Sequence, residues 1–499
     1  MEYNNPILKG FNPDPSLCRV GADFYLVTSS FEFSPGVPIY HSKNLVNWEL
    51  INYCLTDEVQ LDLRGAKASG GIYAPTIRHH DGVFYMTTTN VSNGGNFIVH
   101  TKDIRGKWSA PIFVNQSGID PSLLFDDGRC FYCSNGWDEE STFIQLSEIN
   151  PLTGEFVREP VPICRGTGGI YPEAPHLYKI GEWYFLMLAE GGTQYGHMET
   201  IFRAKDPYGP YEPCSRNPIL SHKDLAGHPI QCTGHADIVD DQNGNYWCCF
   251  LGVRPLGAKR LHNLGRETFL APVTWDGGGF PIIGNNGTAE LCMEGPLPAP
   301  ALPECIDFYD DFASEEASLH YNYYGNQGLE RFLRKDGCLH IDGRGACFSG
   351  SVSSPAFVGI RQKEFAVTAE AEVSLAALID GTYVGITAFY NHSYHYDVHV
   401  TAEDGRLFAC LRKRVHDLEA VTAKIEIEKS DSVRLSIVSS AEIYTFFCNG
   451  QEIGSGLTVG LCTEQTWPTS FTGTYFGMFA EGGIGVFTEF SVKEREPHA

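Results

Sequence analysis

The 499-residue sequence predicts an all-β chain: a five-bladed β-propeller over residues 1–293, a proline-rich linker over 294–306 and a β-sandwich over 307–499. Three observations predict it. A short turn containing glycine, followed at once by an aromatic-rich run, recurs five times in the first half, at Gly21, Gly82, Gly128, Gly181 and Gly244. Four prolines fall within 296–303, where the recurrence stops, and beyond them the runs alternate apolar and polar residues. The 53 glycines and 28 prolines mark many turns, and no stretch carries helical periodicity of convincing length.

Each unit reads as a short apolar run, the turn, an aromatic pair such as Phe24-Tyr25 or Trp183-Tyr184, a loop and a further strand. The turns lie 61, 46, 53 and 63 residues apart, which suits propeller blades whose loops absorb the differences. The linker prolines make an extended, semi-rigid connection. Runs such as Phe365–Val373 and Val433–Val438 suit a two-sheet sandwich with one wet face on each sheet.

Composition narrows the function. A formal charge of −25 opposes nucleic acid and anionic membranes as partners and favours a small neutral ligand. Self-association into a homo-oligomer is left open. The start of the sequence lacks a basic and apolar leader pattern, and no apolar run reaches 18 residues, so a cytoplasmic location is expected. The 16 cysteines sit inside strand-like runs and read as reduced thiols. Cys130 and Cys133 have half of a zinc-knuckle spacing, but no second pair lies nearby, and no metal ligand is assigned.

Counting back seven to nine residues from each turn glycine reaches Asp14, Ala74, Asp120, Glu173 and His235. In a propeller the first strands line one channel, so these positions are expected to converge on one pocket. Asp14 and Asp120 each sit in an Asp-Pro-Ser tripeptide, where the proline holds the aspartate extended. Glu173 lies between Pro172 and Pro175, an environment that can raise a carboxyl pKa and keep a proton for an acid's work. His235 either orders water or a cation in the channel or is a satisfied buried histidine. Three carboxylates around a neutral pocket fit glycosidic bond cleavage, one supplying a proton and one acting as base or nucleophile. Phe31, Tyr73 and Trp137 are candidate sugar-stacking rings, with a place in the core as the alternative.

These residues, with Asn5–Ser16, Ser29–Val37, Gly118–Ser122, Tyr171–His176, Thr233–Asp237 and Leu264–Phe269, resemble glycoside hydrolase family 43. The resemblance is to its β-xylosidase-like and α-L-arabinofuranosidase-like members with a C-terminal sandwich. It implies a five-bladed propeller followed by a concanavalin A-like domain, and an inverting exo-hydrolase. By position Asp14 is the general base, Glu173 the general acid, and Asp120 the carboxylate that orients Glu173 and tunes its pKa. Arg266 matches a substrate-binding arginine, Phe31 a wall of the nonreducing-end subsite and His235 the channel histidine. Some relatives hold a cation near that histidine, so calcium is compatible, while no cofactor is required. The segment Phe471–Tyr475 resembles a sandwich loop that reaches the pocket. Where relatives carry tryptophan in Gly-Ile-Trp-Ala-Pro, this chain has Tyr73, which opens the choice between xylose and arabinose.

The expected activity is removal of terminal β-D-xylosyl units from xylo-oligosaccharides, with α-L-arabinofuranosidase activity beside it or in its place. A noncatalytic sugar-binding propeller is the alternative from another class.

Overall fold

Five antiparallel sheets, each built mainly from four strands in chain order, follow one another through residues 16–283. The computed structural model describes residues 1–495 apart from 258, 327 and 349–354. The first strands of the five sheets, Ser16–Val20, Thr76–His80, Ser122–Asp126, Glu173–Ile180 and Gln231–Asp240, stand side by side in a closed ring. All five turn glycines adopt positive φ. At Asp81-Gly82 and Asp127-Gly128 both central residues do so (48° and 75°, 49° and 72°), the type I′ geometry whose twist matches that of paired strands. The second strands, such as Trp183–Glu190 and Tyr246–Val253, are buried on both faces because each blade packs between two others. Cys130 and Cys133 show this directly: they pack into separate apolar clusters on opposite faces of Arg129–Trp137, so they cannot share a ligand. The chain start closes the ring, with Glu2–Asn4 paired to Cys292–Glu294 and Leu8 bridged to Thr268.

The second half forms two eight-stranded sheets packed face to face. In Val367–Ser374 of the first sheet, burial alternates residue by residue, as expected for a strand with one wet face. The second sheet departs from that expectation. Tyr383–Asn391 and Tyr394–Glu403 are buried almost throughout, because their far face is covered as well. Part of the cover is an aromatic cluster shared between domains, in which Phe11, Phe31 and Phe33 meet Tyr324, Phe357, Phe389 and Tyr475. The propeller also contributes backbone: Phe33–Ser34 pairs with Asn322–Tyr324 and becomes the outermost strand of the sandwich sheet. The two domains therefore share a sheet and a core.

Candidate active site

The ladders fix the register of the channel. Ser16, Thr76, Ser122, His176 and Asp237 occupy equivalent hairpin positions, opposite Val27, Thr87, Cys133, Met187 and Cys249. Two residues earlier stand Asp14, Ala74, Asp120, Ala174 and His235. Glu173 thus lies one residue upstream of the position it was expected to share, and its counterpart in the second blade is Tyr73. The cause is local. The ladder shifts between Glu173 and His176, and Ala174 takes a left-handed φ of 48°. Asp14 (54°), Asp120 (53°) and His235 (50°) are left-handed as well, so the two aspartates are not extended as the prolines after them led us to expect. Such conformations cost about 1 to 3 kcal/mol each in L-residues and persist where the surrounding fold over-determines them.

Asp14 is buried. Its Oδ2 accepts a hydrogen bond from Ser29 Oγ at 2.6 Å, and Oδ1 lies 3.3 Å from Arg266 Nη1 and 3.6 Å from His235 Nδ1. Burial alone would raise its pKa, but Arg266, His235, Ser29 and His197 together outweigh it and hold the carboxyl below its ordinary value. Burial pushes His235 below its ordinary value, and it pushes His197 down to about 4. Both rings are therefore neutral at neutral pH, and the charge opposing Asp14 is Arg266.

Glu173 and Asp120 are displaced the other way. Burial and then the negative charge of Asp14 push Glu173 up to about 7. Burial, Glu173 and Asp14 raise Asp120 well above the carboxylate range, against the opposing pull of Arg266 and of the Ala174 backbone N–H. That N–H belongs to the residue next to Glu173. The two acids titrate as a coupled pair that holds a proton beside an ionised Asp14. One carboxylate kept charged and another kept protonated at one mouth is the requirement for acid–base cleavage of an acetal.

Around them lie Arg266, Phe31, Tyr73 and Phe471. Arg266 Nη1 donates to Thr193 Oγ1 at 2.7 Å and Nη2 to the Phe471 carbonyl at 3.3 Å, and its guanidinium stands over the Phe31 and Phe471 rings. At Gly265 (φ 86°) a Cβ would stand 3.0 Å from the Gly473 Cα and from the Thr472 carbonyl oxygen, so no larger residue fits without a shift. The sandwich loop reaches the pocket in this way, and Ser69 Oγ accepts the Phe471 N–H at 2.8 Å. The Tyr73 ring is 5.2 Å from Phe31 and edge-on to Phe471, and burial, then Asp120, pushes its hydroxyl up to about 12, so it stays a donor. Trp137 ends the second strand of the third blade on the same side, but it is 67% exposed and has no ring contact with the cluster. Tyr475 is fully buried and stacks on Phe33 at 4.3 Å, in the domain seam rather than at the pocket surface.

Thr193 and His197 belong to the site without having stood out in the sequence, and Ser29 stood out only as the first residue of the segment Ser29–Val37. Glu199 belongs to it as well: its buried carboxylate accepts the Ala236 N–H at 3.2 Å and fixes the turn that presents His235. Beneath the mouth, Asp237 gathers the blades. It accepts from Ser16 Oγ (2.7 Å), Tyr178 Oη (2.7 Å) and both terminal nitrogens of Arg78 (2.8 and 3.1 Å), and Arg78 also donates to His176 Nδ1 at 3.0 Å.

A five-bladed propeller with three carboxylates at its channel mouth, one ionised and two biased toward their protonated forms, defines a glycosidase. A family model described as "Glycosyl hydrolases family 43" matches residues 3–281, and one described as "Beta xylosidase C-terminal Concanavalin A-like domain" matches 309–490. The chain belongs to glycoside hydrolase family 43. It is 40% identical to a non-reducing end alpha-L-arabinofuranosidase of Bacteroides ovatus, across 96% of this chain and 91% of that one. It is 33% identical to a xylosidase/arabinosidase of Humicola insolens, across 98% and 96%. The solved xylan beta-1,4-xylosidase of Bacillus halodurans superposes with a TM-score of 0.90 at 31% identity, covering 98% of this chain and 100% of that one.

Proposed function

We propose that this exo-glycosidase removes terminal β-D-xylosyl units from the nonreducing ends of short xylo-oligosaccharides with inversion. The observation that carries the reading is the opposed protonation of Asp14 and the Glu173–Asp120 pair. Asp14, ionised against Arg266, takes a proton from water as the water attacks the anomeric carbon. Glu173 gives its proton to the departing glycosidic oxygen. Asp120, beside the Ala174 N–H, positions Glu173, whose pKa burial and Asp14 keep high. Arg266 and Tyr73 supply donors to sugar hydroxyls, and Phe31 and Phe471 supply apolar walls. The reading requires no cofactor. Asp237 already carries the charge of Arg78, so a calcium ion near His235 would compete with a built-in cation, and EDTA is expected to leave the rate unchanged. Sixteen free thiols, eleven of them buried, support work in a reducing compartment such as the cytoplasm.

A second reading, mainly α-L-arabinofuranosidase, is favoured by Tyr73 and by the name of the Bacteroides relative. The sugars differ by a small change of shape, which a pocket separates by about 1 to 3 kcal/mol. Turnover of nitrophenyl β-xyloside against nitrophenyl α-arabinofuranoside decides: no turnover of the xyloside removes the first reading. The anomer formed first from xylobiose, followed by NMR, tests inversion.

A further inference from the structure

We infer that Glu190 is the positioning residue for Glu173, acting through a loop of the fourth blade that its buried carboxylate clasps. The inference rests on the reading of Glu173 as the general acid. Glu173 opens its strand opposite Ala189, and the ladder shifts directly after it. Its placement therefore depends on the segment that delivers it, residues 165–172.

That segment has little of its own to hold it. From Arg165 to Tyr171 no residue is buried, and Ile170 and Tyr171 are 62% and 57% exposed. Gly166, Gly168 and Gly169 give it the backbone freedom that other residues lack. At its start Arg165 pairs with Asp138 at 2.6 Å, but both are exposed, and such surface pairs contribute little. Pro172 is the first residue of the segment to be buried.

Glu190 supplies the missing anchor. It ends the strand Trp183–Glu190, one residue after the ladder partner of Glu173, and it is fully buried. Its Oε1 accepts the Thr167 N–H at 2.9 Å and Thr200 Oγ1 at 2.7 Å, while Oε2 accepts Thr167 Oγ1 at 3.1 Å and the Gly169 N–H at 3.0 Å. Both oxygens thus face donors, which a carboxylate alone among side chains of this shape satisfies at both ends. The loop lies so close that a Cβ on Gly166 or Gly169 would stand 2.8 Å from the carboxyl group. Gly191 then donates its N–H to the Ile170 carbonyl at 2.8 Å, which tightens the same junction. Among the described residues, the segment 166–170 has one other hydrogen bond, from the Gly166 N–H to Cys164 Sγ at 3.4 Å. A general acid has to stand within hydrogen-bond reach of the departing oxygen, and a misplacement of about 1 Å costs up to about 100-fold in rate.

The test compares Glu190→Gln, Gly169→Ala and the double variant with Glu173→Gln, on xylobiose and on a nitrophenyl xyloside. Glutamine keeps the volume but turns one acceptor into a donor that faces donors. Gly169 has no positive φ, so alanine there keeps the carboxylate and only crowds the loop away from it. Each single variant is expected to lower kcat on xylobiose about tenfold or more with KM little changed, and to lose at most about threefold on the nitrophenyl xyloside, whose leaving group needs little protonation. The double variant is expected to lose no more than the more impaired single one, because both break one clasp. Circular dichroism identifies the folded variants, and if Glu190→Gln does not fold, Gly169→Ala carries the same decision. Equal losses on the two substrates, or near-normal turnover of xylobiose, overturn the proposal alone when Glu173→Gln shows the split. If Glu173→Gln lacks the split, the assignment of the acid falls and the proposal with it.

Discussion

Asp14 and Glu173 sit a short way apart in one pocket and titrate in opposite directions, and that contrast can be read in a pH profile. Activity should rise as pH climbs past the depressed pKa of Asp14, below the usual carboxylate range, since the base must be ionised. It should fall as pH rises through about 7, where the Glu173–Asp120 pair loses its proton. Asp14→Asn and Glu173→Gln should each lower kcat on xylobiose by about 100- to 10,000-fold with circular dichroism unchanged. The Glu173 variant should lose less on a nitrophenyl xyloside, whose leaving group needs little protonation. Near-normal rates in either variant would remove its role. Tyr73→Trp trades a donor for a larger face and should move the xyloside-to-arabinofuranoside ratio of kcat/KM by about 10- to 200-fold at most. An unchanged ratio would place sugar choice elsewhere. The three acids were legible in sequence because Asp-Pro-Ser and Pro-Glu-Ala-Pro punctuate one recurring strand. Thr193, His197 and Glu199 were not, since they come from other strands and loops with no spacing that marks them. The one-residue offset of Glu173 was hidden too, because a left-handed alanine leaves no trace in residue type.

The first strands do more than carry the acids to one mouth. Ser16, Arg78, His176 and Asp237 lie just below it, on four different blades, and Asp237 draws them together through Arg78. Asp14 is two residues from Ser16, Glu173 three from His176 and His235 two from Asp237, so this hub sets the spacing between base and acid. Arg78→Ala leaves Asp237 buried without its counter-charge, a change that typically costs about 3 to 5 kcal/mol. If the variant folds, misplacement of the catalytic groups should lower kcat up to about 100-fold with KM little changed. Added guanidinium at millimolar concentration should restore part of the rate by re-occupying the site. A rate loss that appears in KM, or that guanidinium cannot touch, would make the hub a purely structural plug. Sequence placed these strands correctly but gave no sign of the hub: Arg78 and His176 belong to different blades, and only ring closure brings them within 3.0 Å.

At the scale of the molecule, the boundary read at the proline-rich linker divides the chain less sharply than the sequence suggested. Nothing about Phe33-Ser34, deep in the first blade, announces that it will leave the propeller's ladders and complete a sheet nearly three hundred residues downstream. An aromatic cluster fills the seam behind it, and Arg361 of the sandwich bonds Asn12, two residues before Asp14. Separating the domains would expose Phe11, Phe33 and Tyr475 to water, at about 1.5 to 3 kcal/mol for each large apolar side chain uncovered. It would also strip Arg266 of the Phe471 carbonyl. Neither half should therefore be stable without the other. Scanning calorimetry of the whole chain should give a single cooperative transition, with activity lost across that transition rather than before it. Residues 1–300 produced alone should be aggregated or inactive. Two resolved transitions, or an active isolated propeller, would show that the seam is a contact between independent domains, and that the sandwich loop at Phe471 is dispensable for cleavage.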